Sequence, residues 1–263
     1  ANSINNGNIT GEADDSYVGG FVGYFNNNTN TNITISNSIN NANATGGWKV
    51  GGFVGVIYSD SDSDSVMLNI MNSANKGSVS ATDGMACGFV CVKPEGNMNV
   101  KTTMKNSINK GSVNASNDGY GIANIITEVR NVVSMGDVTG PSGSYTFWNA
   151  STVVHMFYGL DGKCANCSDG ATLFQHNTTT GFYEVVGTGE HVDNLLNAES
   201  ENQSYGMMWT NELDLYDPHV EPSPSSSSSS SQSVPLSGGK QHGVSTLCIG
   251  VVIGLLGHMT MAH

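Results

Sequence analysis

The sequence predicts an all-β chain: a parallel β-helix, or β-solenoid, of about four coils, followed by a mixed α/β C-terminal cap. Three observations predict it. The phrase Asn-Ser-Ile-Asn-Asn-Gly begins at Asn2, and variants begin at Asn37, Asn72, Asn106 and Asn131. Between them a second phrase recurs, Val-Gly-Gly-Phe-Val-Gly ending at Gly23 and at Gly55, Ala-Cys-Gly-Phe-Val-Cys ending at Cys91, and Tyr-Gly-Ile-Ala-Asn ending at Asn124. The residues before the first phrase alternate with a period of two, the mark of a strand. Copies recur at roughly 25–35 residues, the spacing of solenoids, in which each unit buries its apolar face against its neighbours.

Residues 1–140 carry the repeats. In the second copy Ile33, Ile35, Asn37 and Ile39 alternate onto one expected face. The later copies give Leu68, Ile70, Asn72 and Ala74, then Thr102, Met104, Asn106 and Ile108, then Thr127, Val129, Asn131 and Val133. An unsatisfied buried amide costs about 1–3 kcal/mol, so an Asn on an apolar face needs partners. Stacked copies supply them, each amide bonding the next as in an Asn ladder. A turn Asn, chosen because it tolerates the left-handed conformation, is the alternative reading of the same residues. Gly7, Gly77, Gly111 and Gly136 mark a corner after each phrase, with Ala42 the exception. The second phrase reads as a further short strand whose rings, Phe21, Phe53 and Phe89, stack in register, with Ile122 in the fourth place. The polar stretches 26–32 and 59–65 read as projecting loops. The Asp/Ser run in the second lacks the Gly turn and closing Glu of an EF-hand, so it reads as a solvated loop.

Residues 141–217 lose the repeat and read as the cap that shields the last coil. Strands are expected at 145–148, 153–158, 171–174 and 182–186, and a helix over 192–201 with Leu195 and Leu196 on its apolar side. A closing strand is expected around Trp209, Leu213 and Leu215. Residues 218–236, with serine from Ser225 to Ser231 and flanking prolines, cannot bury a core and read as an extended stalk. Residues 237–263 read as an address. The small residues Ser237, Gly238 and Gly239 precede a short polar spacer and an apolar run that ends without a basic flank, the pattern of a GPI-attachment signal, with Ser237 or Gly238 as the lipid-attachment residue. A single transmembrane helix is the competing reading. The chain opens at Ala1 within a repeat, and a longer precursor with upstream repeats is expected.

The balance of nine basic against 22 acidic residues, a formal charge of −13, argues against nucleic acid and against docking on anionic lipid. The membrane partner expected here is reached through the lipid anchor, with glycan or protein as the further candidate ligands. An extracellular location fits the sequons at Asn8, Asn27, Asn32, Asn43, Asn114, Asn149, Asn166, Asn177 and Asn202. Asn27, Asn32 and Asn114 are expected in or beside loops. Cys164 and Cys167 are read as a local disulfide or as members of two separate bridges. Cys87 and Cys91, on a continuous strand, would lie about 13 Å apart, too far to bridge, and are read as buried small side chains. His155 reads as a cap residue. No HExxH, GxSxG or phosphate-loop motif occurs, and the repeated strand positions carry no carboxylate pair. The expectation is therefore no catalytic residue, no cofactor, no metal and no enzyme activity.

The repeat resembles the GLUG-motif family. Gly20-Phe21-Val22-Gly23, Gly52-Phe53-Val54-Gly55 and Gly88-Phe89-Val90-Cys91 match its core, with Phe in place of Leu, and Gly121-Ile122-Ala123-Asn124 departs further. The Asn-Ser-x-Asn-x-Gly-x-Val phrase is similar to that family's second half. The resemblance covers about residues 1–140 and implies a repetitive extracellular β architecture, as in adhesin-like surface proteins. With the GPI-type tail it implies a single-celled eukaryote. The functional expectation is a cell-surface structural or adhesive repeat glycoprotein that binds through its loops. A polysaccharide-degrading enzyme on the same fold and a coat protein without a ligand are the alternatives.

Overall fold

The computed structural model describes residues 2–26, 31–58, 65–92, 99–145, 147–148, 150–159, 164–165 and 171–219. These residues are mostly strand, with a single helix among them, and the sheets are largely parallel. The described residues all belong to one compact unit, Ala1–Glu221, and residues 220–263 lie outside the described residues.

Equivalent strands of successive copies lie side by side in parallel. The largest sheet begins Ser3–Asn5, Ser38–Asn40, Ala74–Asn75, Asn99–Asn109, Ile126–Ser134 and Ala150–Tyr158. Thr31–Ser36 and Ser65–Met71 join it, so that Leu68 pairs with Ile33 on one side and Thr102 on the other. A second sheet runs Ile9–Thr10, Ala44–Gly46, Val79–Ala81, Val113–Ala115 and Val138–Thr139. A third runs Tyr17–Gly19, Lys49–Gly51, Met85–Cys87, Asp118–Tyr120 and Gly143–Tyr145. A fourth joins Val22–Asn26, Val54–Tyr58 and Val90–Val92. In each of these four sheets, spatial order follows copy order.

Glycine makes this close pairing possible. A Cβ at Gly52 would meet the Gly88 carbonyl at 2.0 Å and the Asn75 side chain at 2.6 Å. One at Gly77 would meet the Ala42 carbonyl at 1.9 Å. Each position admits only a residue without a side chain, because a neighbouring copy's backbone already occupies the space.

The alternation expected through each Asn is broken. Asn37, Asn72, Asn106 and Asn131 have φ of 50°, 50°, 46° and 57°. A left-handed residue re-aims the strand, so the apolar side chains before and after it do not share a face. Leu68 and Ile70 enter a core with Phe53, Phe89, Met104 and Ile122, whereas Ala74 and Ile108 enter a second core with Phe157, Leu196 and Trp209. The cores are packed tightly: Phe53, Phe89, Leu68, Met104 and Trp209 are all buried, each contributing about 1.5–3 kcal/mol of transfer free energy.

The phrase ends near Gly140, but the pairing does not. Gly143–Tyr145 pairs in parallel with Asp118–Tyr120, and Ala150–Tyr158 with Ile126–Ser134. Ala171–Asn177 continues the ladder at Met156 to Tyr158, then turns into an antiparallel hairpin with Phe182–Val185. Backbone hydrogen bonding needs no particular side chain, so it outlasts the motif that revealed it. The helix, α1, spans Val192–Gln203, with Leu196 buried and Leu195 partly buried. Met208–Trp209 pairs antiparallel with Leu215–Tyr216, while Leu213, with φ 56°, lies in the turn between them rather than on a strand.

Candidate functional site

Two amide ladders run through the copies, three residues apart in each phrase. In the first, Asn72 Nδ2 donates to Asn37 Oδ1 at 3.0 Å, Asn106 Nδ2 to Asn72 Oδ1 at 2.9 Å, and Asn131 Nδ2 to Asn106 Oδ1 at 2.6 Å. The two readings of this Asn, ladder and left-handed turn, therefore hold together at the same residues. The left-handed backbone sets the side chain where the next copy's amide reaches it. The second ladder runs the other way: Asn5 Nδ2 donates to Asn40 Oδ1, Asn40 to Asn75 and Asn75 to Asn109, at 2.9, 2.8 and 2.8 Å. The same nitrogens of Asn40, Asn75 and Asn109 also donate to the corner carbonyls of Ala42, Gly77 and Gly111. Sequence reasoning missed this second ladder, although the recurrence of Asn three places along the phrase is its signal. Between the two, Ser38 N donates to Ser73 Oγ and Ser73 N to Ser107 Oγ.

The first ladder is a docking rail for the C-terminal segment. Asn72 Nδ2 donates to Tyr205 O, Asn106 Nδ2 to Met207 O, and Asn131 Nδ2 to Leu196 O. Asn106 Oδ1 accepts from Trp209 Nε1 at 2.6 Å and Ser200 Oγ at 2.8 Å as well as from Asn131. Asp214 clamps the far end with Lys76 at 3.0 Å and Lys110 at 2.9 Å. Burial alone would raise its carboxyl, but hydrogen bonds and charge from Lys110 and Lys76 outweigh that and hold it below the usual carboxylate range. Glu128 behaves alike: burial raises it, and Arg130 with Lys105 pulls it lower.

The rings stack as a column. Phe21 and Phe53 have centroids 5.0 Å apart, Phe53 and Phe89 4.8 Å, and Ile122 is buried in the same core.

The cysteines correct one expectation. Cys87 and Cys91 form a disulfide, with Cα atoms 5.5 Å apart. The strand is not continuous between them. Met85–Cys87 belongs to the third sheet and Val90–Val92 to the fourth, and the corner at Gly88-Phe89 folds the two residues toward each other. The geometry of a straight strand was the wrong premise. Cys164 lies on a short strand, but the expected Cys164–Cys167 bridge falls outside the described residues, as does the side chain of His155. Ser237 and Gly238 lie outside them too.

Asn8, Asn32, Asn43, Asn114 and Asn202 are exposed. Asn32 and Asn114 lie on strands Thr31–Ser36 and Val113–Ala115, not in loops, but on the outward side of them. Their side-chain oxygens face the next copy: Asn8 accepts from Asn43 N, Asn32 from Asn69 Nδ2, Asn43 from Ser78 N and Asn114 from Thr139 Oγ1. Asn177 is half-buried and donates to Glu184 Oε2. Asn27, Asn149 and Asn166 fall outside the described residues.

Among the described residues no group of three or more His, Cys, Asp or Glu is placed to hold a metal ion, and no helix is long and apolar enough to cross a membrane. No protein-family profile, curated protein or solved structure matches the chain.

Proposed function

We propose that this chain is a β-solenoid module of a GPI-anchored cell-surface glycoprotein, structural or adhesive in role, of the kind its GLUG-like phrases resemble. The solenoid reading is supported by the parallel, copy-ordered pairing of four sets of strands and by ladders that cross the copies. The surface reading rests on one observation above the rest: exposed sequons on the outward side of a scaffold whose inward amides bond from copy to copy. An exposed Asn whose oxygen is held by a neighbouring copy presents its amide nitrogen to the glycan without disturbing the interior. The small triplet Ser237-Gly238-Gly239, the apolar run after it and the Ser/Pro stalk before it supply the anchor and the spacer. Ligand binding would fall to surface residues on this rigid frame.

Expression in a eukaryotic host tests it. Phosphatidylinositol-specific phospholipase should release the protein from intact cells, and peptide N-glycosidase should lower its apparent mass in several steps. Recovery from the cell surface of a peptide spanning Leu247 to Leu256 would instead establish a membrane-spanning tail.

A further inference from the structure

One corner of the scaffold combines an exposed aromatic with convergent polar groups. Its column runs Ser16, Trp48, Gly84, Asn117 and Ser142, one residue from each copy. Backbone bonds tie the column together: Trp48 N donates to Ser16 O, Met85 N to Trp48 O, Asn117 N to Gly84 O and Ser142 N to Asn117 O. Side-chain size along it is uneven. Trp48 is large and 38% exposed, whereas Trp209 is buried. Gly84, next in line, has no side chain, and a Cβ there would meet the Trp48 carbonyl at 1.9 Å, so the gap is fixed by the backbone. Asn117 and Ser142 beyond it are exposed. A bulky ring, then a gap, then polar side chains make a hollow of about 180 Å³, with Asp118 and the buried Lys49 along its edge.

We propose that this hollow binds a single ring of a neutral hexose or N-acetylhexosamine at the end of a glycan. A pyranose has one face of C–H groups and a rim of hydroxyls. The indole matches the face, since aromatic rings offer rigid apolar area at small entropic cost. Asn117, Ser142 and Asp118 match the rim with amide, hydroxyl and carboxylate, the mix of one apolar wall and few convergent polar groups that orients small ligands. Neutrality follows from charge: Lys49 and Asp118 line the hollow with one charge of each sign, and the chain as a whole carries −13, so the site has no net positive charge to hold an anionic sugar. The proposal deepens the adhesive reading above and rests on it.

The test uses the full chain coupled to beads, over an array of oligosaccharides ending in glucose, galactose, mannose, N-acetylglucosamine or N-acetylgalactosamine. Beads raise a weak single-site affinity to a measurable avidity. Retention on at least one neutral glycan is expected, insensitive to salt. Trp48→Ala should weaken it by about tenfold or more, Trp48→Phe by less, and Asp118→Asn by several-fold, all without loss of melting temperature. Tyr216→Ala, an exposed aromatic elsewhere, should bind as the parent does. Retention on no neutral glycan, or undiminished binding by a folded Trp48→Ala, overturns the proposal. Beads that adhere to cells while retaining no glycan overturn it and leave the adhesive reading standing.

Discussion

Asn106 shows how much one residue carries. Its oxygen accepts from Asn131, Ser200 and Trp209, its nitrogen donates to Asn72 and to Met207 O, and its backbone is left-handed. Replacement by Leu strands several buried polar groups, each worth about 1–3 kcal/mol, and forces a branched side chain into an unfavourable φ. Asn106→Leu is therefore expected to destabilise by at least about 3 kcal/mol in denaturant titration. Asn106→Gly keeps the backbone and loses only the amide, so it should cost less. Equal losses would mean that the backbone contributes nothing. At this scale the sequence was half legible. The recurrence of Asn exposed its ladder and its turn conformation as rivals, because a linear pattern does not show that a left-handed residue can also present its side chain to a neighbour. Cys87 and Cys91 were misread for a related reason: strand spacing was applied across a corner that only the two sheets reveal.

At the scale of elements, the segment from α1 to Tyr216 lies along the Asn rail and is pinned by Asp214 between Lys76 and Lys110. The Asp214 carboxyl titrates below its unfolded value in the folded chain. A depressed carboxyl contributes stability that is present above the unfolded value, near pH 3.9 for Asp, and is lost as pH falls through the lower folded value. Acidification from pH 5 toward pH 2 should loosen this segment before the repeats, seen as amide exchange of Trp209 and Leu196 outpacing that of Leu68 and Met104. In Asp214→Asn that acid step should vanish while protection at pH 7 falls slightly. An unchanged acid profile in the variant would assign the step to another carboxylate. The helix and the strands at 171–174 and 182–186 were legible from alternation and from paired leucines, whereas the antiparallel pairing of those strands and the turn at Leu213 were not. Its docking was not, because the contacts join residues about a hundred positions apart, as from Asn106 to Trp209, and no local pattern encodes them.

At the scale of the whole molecule, the copies are the unit of construction. Deleting residues 72–105 removes one complete copy, including both cysteines of the disulfide, and rejoins Met71 to Asn106 with both ladders in phase. The product should remain folded and unfold cooperatively at a lower temperature, since a stack loses one interface per copy removed. Deleting residues 72–104 instead shifts the phase by a single residue and should abolish cooperative unfolding, because a one-residue slip turns every side chain to the other face. Similar melting of the two deletions would refute the stacked arrangement. The parallel order of copies was the most legible property of all, since repetition at a fixed spacing is visible without any structural premise. The continuation of pairing beyond Gly140 was hidden, because the ladder there runs on backbone bonds while the phrase has changed.

The two amide ladders point in opposite directions, one donating toward the N-terminal end and the other toward the C-terminal end. The copy that carries Asn72 and Asn75 thus donates one amide bond up and one down, and accepts one from either side. The copies of Asn37, Asn72 and Asn106 meet their neighbours through the same pair of amides, so a further copy of that kind could be inserted between them. For the gene this means that unequal crossing-over between copies yields another working protein, provided the exchange is in phase. Length becomes a heritable variable that changes in whole steps, and the stack can vary its reach without inventing a new interface.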